Sequence, residues 1–321
     1  MGYQNFLVIQ TAFIGDAILA SSLLEKLHDR FPDAKISLLV RKGNESLYAN
    51  HPYLHELLVW DKQTDKIKNL FALLGKIRRQ KYDCVINCHR FASSGFLTAF
   101  SGAKHSAGYK QNPFSFAFNT AIKHQLLNGK HETERYNELI EDFTDRKLYR
   151  PKLYPSVEDL EKVKPYIEAN YVCIAPASVW FTKQMPVNKW IELCDQLDPA
   201  QKIYLVGAPG DKAVAEAIIQ GSKHGNITNL CGDLTLLQTC ALMAQAQMNY
   251  VNDSAPLHLA SSANAPVTAY FLSTLPLFGF GPLSDKSVIK EVRNVKCRPC
   301  GIHGHKACPE GHFNCAQQMI M

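Results

Sequence analysis

Residues 6–31, FLVIQTAFIGDAILASSLLEKLHDRF, decide the fold. Residues 6–10 form a short apolar run of the length of a buried strand. Residues 17–31 then arrange Ile18, Leu19, Ser22, Leu23, Lys26 and Leu27 around an amphipathic helix. Pro32 and Asp33 stop that helix, and residues 35–40 return to a strand pattern. Outward from this unit the alternation continues. Strands are expected at 57–60, 83–87 and 106–109, with helices at 65–80 and 132–143. Residues 150–155 hold two prolines and no periodicity. Ser156 with Asp159 three residues on is a capping box that opens a new helix. The boundary therefore separates domains 1–152 and 153–321. The second half repeats the theme, with strands at 171–175, 202–206, 248–252 and 267–271 and helices at 187–197, 211–220, 234–246 and 255–263. Apolar strands alternating with amphipathic helices imply parallel sheets covered on both faces. The expectation is two doubly wound α/β domains, with ligands at the carboxyl ends of strands. The loops that matter then follow Gln10, Asn87, Ala175, Val206 and Asn252.

A chain of 321 residues suits two domains, each able to bury a core. With 46% hydrophobic and 20% charged residues it is neither disordered, collagenous nor a coiled coil. No apolar run reaches the ~18 residues of a membrane span. The first ten residues lack a basic segment, which argues against a signal peptide. Phe6 stands where a myristoylation signal would place Ser or Thr. The net charge of +6 fits an anionic ligand or a phosphate-rich membrane face. No Lys/Arg block or RNA-binding aromatic signature points to nucleic acid. Ten cysteines without a secretion signal suggest thiols in a reducing cytoplasm. Cys84, Cys88, Cys173, Cys194, Cys231 and Cys240 lie in apolar stretches and are expected in the core.

Three loops carry candidate chemistry. In Thr11-Ala12-Phe13-Ile14-Gly15-Asp16, Gly15 permits a tight turn or a close approach to a ligand. Asp16 is either an N-cap or a general base at a strand's carboxyl end. The loop is neither G-x-G-x-x-G nor a Walker loop, which disfavours a dinucleotide dehydrogenase. Thr182-Lys183, between a strand and a helix, supplies a hydroxyl and an ammonium suited to phosphate, or is a solvated loop pair. In Asn252-Asp253-Ser254-Ala255-Pro256-Leu257-His258, Asp253 or Ser254 can cap a helix whose N-terminus would attract an anion. His258 falls one turn in. A capped helix with an incidental histidine is the bland alternative.

Together and in this order, these loops resemble glycosyltransferase family nine, the lipopolysaccharide heptosyltransferases. Residues 6–30 are similar to the family's opening strand, small loop, Gly-Asp and long helix. Thr182-Lys183-Gln184-Met185-Pro186 looks like its Lys-centred loop, Gly207-Ala208-Pro209-Gly210-Asp211 like its glycine turn, and residues 252–260 like its strongest signature. His131-Glu132 to Glu138 resembles its last N-domain helix. The resemblance implies a GT-B fold, two Rossmann-like domains facing across a cleft. It implies inverting sugar transfer from a nucleotide sugar, usually ADP-heptose, with no cofactor required for catalysis. The acceptor it implies is lipid A-core oligosaccharide, met by a cytoplasmic enzyme peripheral to the inner membrane. Asp16 matches the family's base. Thr182 and Lys183 match its phosphate contacts, and Asp253, Ser254 and His258 match positions holding donor sugar and diphosphate. Gly207 and Asp211 join the donor side, with Asp211 the carboxylate nearest the slot where Pro209 replaces a ribose-binding acid. Gln184 and Met185 stand where a basic residue and Trp are common. His89 and Arg90, in a loop unlike the family's usual one, are candidate acceptor-phosphate contacts together with Gly15. Transfer of another sugar from another nucleotide, and a non-catalytic nucleotide-binding module, stay open.

Cys297-x-x-Cys300, Cys308 and Cys315 crowd the tail at 297–315 with metal-like spacing. A structural zinc, disulfides formed on oxidation, and simple packing are the three readings. Because the chain stops at Met321, the tail is expected to be stapled rather than packed.

Overall fold

The computed structural model describes residues 2–167 and 170–321. The chain divides into two units, Met1–Tyr154 and Pro155–Met321. The first runs β1 (Asn5–Gln10), α1 (Ile14–Arg30), β2 (Lys35–Arg41), β3 (Leu54–Trp60), α2 (Lys66–Gln80), β4 (Cys84–Asn87), α3 (Ala92–Ala99), β5 (His105–Tyr109), β6 (Thr120–Ile122) and α4 (Glu132–Glu138). Its sheet has the order β3-β2-β1-β4-β5-β6, and every pairing is parallel. Alternation along β1 sends Leu7 and Ile9 to one face, where they meet Leu73, Leu74 and Ile77 of α2 and Leu97 of α3. Phe6, on the opposite face, packs with Phe31 and Phe143. Residues 6–9 are fully buried, as a strand covered on both sides must be.

The second unit runs α5 (Val157–Val163), β7 (Tyr171–Ala175), α6 (Val187–Gln196), β8 (Lys202–Leu205), α7 (Lys212–Gly221), β9 (Ile227–Asn229), α8 (Leu236–Gln245), β10 (Asn249–Asn252), α9 (Ala255–Ser262), β11 (Val267–Phe271), β12 (Ser287–Glu291) and α10 (Asn314–Gln317). Its parallel sheet has the order β12-β11-β10-β7-β8-β9. Read from β9 this is the same winding as the first sheet. In each, the chain leaves the first strand in one direction and returns for the fourth on its other side, so the crossovers diverge at β1/β4 and at β7/β10. Trp190 anchors the second core, edge-on to Tyr270 at 5.4 Å, its indole N–H donating to the Pro176 carbonyl at 3.2 Å.

Several expectations shift. The expected helix at 132–143 ends at Glu138, and Leu139 and Ile140 continue in three-residue turns that bring Phe143 under β1. The edge strands β6, β9 and β12 and the helix α3 lie outside the expected elements. Two of those strands are three residues long and β12 is half-exposed, so none shows an apolar run. The Ser156–Asp159 capping box forms in both directions, at 3.1 and 2.9 Å. The six dispersed cysteines are buried thiols. The tail is packed, contrary to expectation, because Phe313, Cys315, Ala316 and Met319 join the core around Trp190.

Gly95 in α3 leaves room for the side-chain amide of Asn112. A Cβ there would lie 1.8 Å from Asn112 Oδ1. Asn112 in turn donates to the carbonyls of His89 and Phe91, at 3.2 and 3.0 Å, and shapes the loop after β4. Gly95→Ala should therefore lower unfolding free energy by about 1–3 kcal/mol through broken buried hydrogen bonds. Gly75→Ala, in open space on α2, should stabilise by up to about 1 kcal/mol. Urea melts of the two variants would show opposite signs, and equal midpoints would refute the packing account.

Candidate active site

In the first unit, the candidate groups gather at the carboxyl ends of β1 and β4. Phe13 is the N-cap of α1, extended at φ −73°, ψ 171°. Asp16 is therefore the third helical residue and not the cap. Its carboxylate accepts the backbone N–H of Phe13 and its own. Gly15 lies inside that first helical turn and does not have a positive φ. The loop below is held from several sides. Gln10 is buried, accepts the Ala12 N–H at 3.0 Å and donates to the Tyr136 hydroxyl at 2.8 Å. Lys62 donates to the Thr11 carbonyl at 2.6 Å, and Asn44 to the Ala12 carbonyl at 3.2 Å.

Burial raises the Asp16 carboxyl to about 6, and the nearby Glu132 carboxylate adds to the rise. The two backbone N–H groups and Arg90 oppose it. Asp16 as a residue keeps partial contact with solvent. Glu132 does not. It is buried against Arg135 at 2.9 Å and His124 at 3.0 Å. Its carboxyl is nevertheless held below the usual range, because those partners outweigh its desolvation. Arg90 Nη1 lies 3.4 Å from His124 Nδ1, which requires Nδ1 to be the acceptor and leaves Nε2–H to face Glu132. Arg90, His124, Glu132 and Arg135 thus form one chain, buried except at Arg90, beside the base candidate. His89 sits 3.2 Å from the Thr11 hydroxyl. Burial, with Lys62 and Arg90 nearby, depresses its pKa to about 3, so it is neutral and brings no positive charge to an acceptor phosphate.

In the second unit, the groups converge at the ends of β7 and β10. Asp253 does not cap α9. Its Oδ2 takes the Lys183 ammonium at 2.8 Å and the Thr274 hydroxyl at 2.6 Å. Ser254 occupies the N-cap position without a side-chain capping bond, Pro256 sits in the first turn, and His258 is buried one turn in. Thr182 is buried, and its hydroxyl accepts from the His305 N–H at 2.8 Å and the Ser273 hydroxyl at 3.0 Å. Its own N–H donates to the His305 carbonyl at 3.1 Å. Those bonds give Thr182 the task of fixing the loop that carries Lys183. Asp211 folds back to accept the Ala208 N–H at 2.7 Å and fills the space beside Gly207 that a Cβ would need. The pair closes a turn.

Sequence reasoning left Asn252 without a role. It is fully buried, its Oδ1 accepting the Met185 N–H at 3.0 Å and its Nδ2 donating to the Pro176 carbonyl at 2.9 Å. It joins the loops after β7 and β10. A buried amide ending an apolar strand is the signal that could have found it. Glu132 and His124 were also missed. Nothing local marks them, since they meet only through the fold.

The four tail cysteines do not assemble as a zinc site. Among the described residues no three His, Cys, Asp or Glu side chains could hold one metal ion. Cys315 is buried in the core, whereas Cys297, Cys300 and Cys308 are partly exposed. The Cys300 thiol donates to the Cys297 carbonyl at 3.4 Å. The ten cysteines are all free thiols.

The Asp16 assignment makes an electrostatic prediction. Carbon-detected NMR of the Asp16 carboxyl should show a midpoint near pH 6, well above a solvated aspartate. Glu132→Gln removes a negative neighbour and should move that midpoint down. An unshifted midpoint would remove Glu132 from the account.

Residues 70–312 match the model of "Glycosyltransferase family 9 (heptosyltransferase)". Lipopolysaccharide heptosyltransferase 3 of Escherichia coli is 26% identical over 282 residues, covering 83% of each chain. A family 9 glycosyltransferase structure from Veillonella parvula superposes with a TM-score of 0.78 at 21% identity, covering 89% of this chain and 85% of that one. E. coli ADP-heptose lipopolysaccharide heptosyltransferase II gives 0.76 at 21% identity, covering 98% of both. Two parallel six-stranded sheets with the fold of these enzymes, and a family match over most of the chain, make this protein a glycosyltransferase belonging to glycosyltransferase family 9, the heptosyltransferases.

Proposed function

We propose that this chain moves a heptose from ADP-heptose to a hydroxyl of a lipopolysaccharide inner-core acceptor, with inversion, and that Asp16 is the general base. The observation that carries the reading is Asp16 at the switch point β1/β4, a partly exposed residue whose carboxyl is raised to about 6 by burial. A base must be ionised at working pH and basic enough to take a proton, and a pKa near 6 meets both needs better than an ordinary aspartate. The names of the E. coli relatives, a lipopolysaccharide heptosyltransferase and an ADP-heptose enzyme, support donor and acceptor.

In this reading the acceptor oxygen attacks the anomeric carbon as its proton passes to Asp16. The bond from that carbon to the diphosphate oxygen breaks, and ADP leaves with the electron pair. The first unit, with a sequence boundary at residue 152, serves the acceptor. Arg90 brings the charge for an acceptor phosphate, while neutral His89 contributes only hydrogen bonding. The unit from 153 on serves the donor. The leaving diphosphate meets the Lys183 ammonium, which Asp253 holds beside the first turn of α9, and the N–H groups of that turn. Ser254 and His258 line the same end. In this reading the transfer uses no divalent metal, and the Lys183 donors and the N–H groups of α9 meet the leaving group instead. The enzyme would work at the cytoplasmic face of the inner membrane. Among the described residues no helix is long and apolar enough to cross a membrane.

Asp16→Asn should cut kcat by about 10²–10⁴-fold while ADP still raises the melting temperature as it does for the wild type. Substantial turnover in that variant would remove Asp16 from the base role. Only the ionised carboxylate accepts a proton, so kcat/KM should fall as pH drops through about 6. A chelator should leave the rate unchanged. Stabilisation by UDP or GDP in preference to ADP would instead point to another donor.

A further inference from the structure

The outer surface of the first unit carries a continuous chain of phenylalanines. Phe71 of α2 meets Phe96 of α3 at 5.5 Å, Phe96 meets Phe100 and Phe114, and Phe114 meets Phe116. Phe116 is 85% exposed, Phe71 58% and Phe100 48%. One exposed ring is ordinary, but a connected row on adjacent elements is not. Phe91 extends the row towards the active-site loop, its ring 4.7 Å from that of His89.

Charge is concentrated in the same stretch. From Lys66 to Lys130 the sequence has eleven Lys and Arg and a single acid, Asp83, whereas the whole chain is only +6. The remainder is therefore net acidic. These basic residues are spread singly through α2, α3 and the loops, so no block betrays them in sequence. Lys68 and Arg78 share the α2 face of Phe71, three residues before and seven after it. Lys110 adjoins the aromatic loop, where its carbonyl accepts the Ser115 hydroxyl at 3.0 Å. Lys66, Lys68, Arg78 and Lys110 are exposed and form no ion pair among the described residues.

We propose that this face, built from α2, α3 and the 110–118 loop, docks the protein on an anionic lipid bilayer. Aromatic rings flanked by lysines suit the boundary between headgroups and acyl chains, where rings bury and ammonium groups meet lipid phosphates. A second copy of the chain is the poorer occupant, because a like face would bring two strongly positive surfaces together. The proposal rests on the transfer reading for its purpose, since a lipid-linked acceptor would be met at such a surface. It rests on the rings and charges alone for its physics.

The test is co-sedimentation of the full chain, without donor or acceptor, with vesicles of phosphatidylcholine alone or containing about one-third phosphatidylglycerol. Binding should require the anionic lipid and weaken with salt. A triple Phe71→Ser, Phe100→Ser, Phe116→Ser variant should bind at least about tenfold more weakly. If that variant melts early, Lys68→Glu with Arg78→Glu, both exposed on the Phe71 face of α2, tests the charge arm. Equal binding to both vesicle types, undiminished binding by the variants, or a wild type that doubles in mass while the triple variant stays monomeric would each overturn docking on lipid. The arms are separable. Transfer to a delipidated acceptor without vesicle binding refutes docking alone, and vesicle binding without transfer refutes transfer alone.

Discussion

Parallel strands in one sheet must be joined by right-handed crossovers, and this rule controls the molecule. Each unit can cover both faces of its sheet only by winding outward from its first strand in one direction and then returning to wind in the other. Where the two windings part, the crossovers diverge and leave the carboxyl ends of two adjacent strands uncovered. Asp16 and His89–Arg90 stand at that opening in the first unit, Lys183 and Asp253 at the one in the second. The chemistry is placed by topology first and by side chains second. Gln10 and Asn252, each the last residue of its strand and each buried, then fix the loops through paired amide bonds.

At the first opening, burial alone would push Asp16 towards neutrality, and the N–H groups of α1 would pull it back. Glu132 shifts the balance. A buried carboxylate is costly unless paired, and His124 and Arg135 pair it completely enough to keep it ionised. Its negative charge therefore persists at neutral pH and raises Asp16 without exposing a second base to substrate. The cost of the buried cluster is spread over three residues from the β6–α4 stretch, so disturbing any one of them changes the potential at Asp16.

Much of this was legible in the amino-acid order. The apolar runs of β1, β4, β7 and β11 announce themselves, because a strand buried on both faces is mostly apolar. Loop positions followed, and with them Asp16, Lys183 and Asp253. The edge strand β3 was legible, but β6, β9 and β12 were not, since two are three residues long and β12 is largely solvated. Partnership was not legible either. Asp253, one of two residues able to cap α9, gives its carboxylate to Lys183 and Thr274, and Asp211 accepts the Ala208 N–H with one oxygen. Short polar side chains have several partners within reach of any loop. Only the fold decides among them.

The tail shows the same limit from the other side. Four closely spaced cysteines suggest a staple, because a loop-rich segment needs something to hold it. What holds it is ordinary packing of Phe313, Cys315, Ala316 and Met319, and bonds from the His305 backbone to the N–H and hydroxyl of Thr182. Gly304 adopts φ +88° at that contact, and a Cβ there would stand 3.0 Å from Lys183 Cγ and 3.1 Å from Thr182 Oγ1. The turn can lie against the Lys183 loop only because no side chain intervenes. The tail therefore braces the lysine that faces the diphosphate in the proposed reaction.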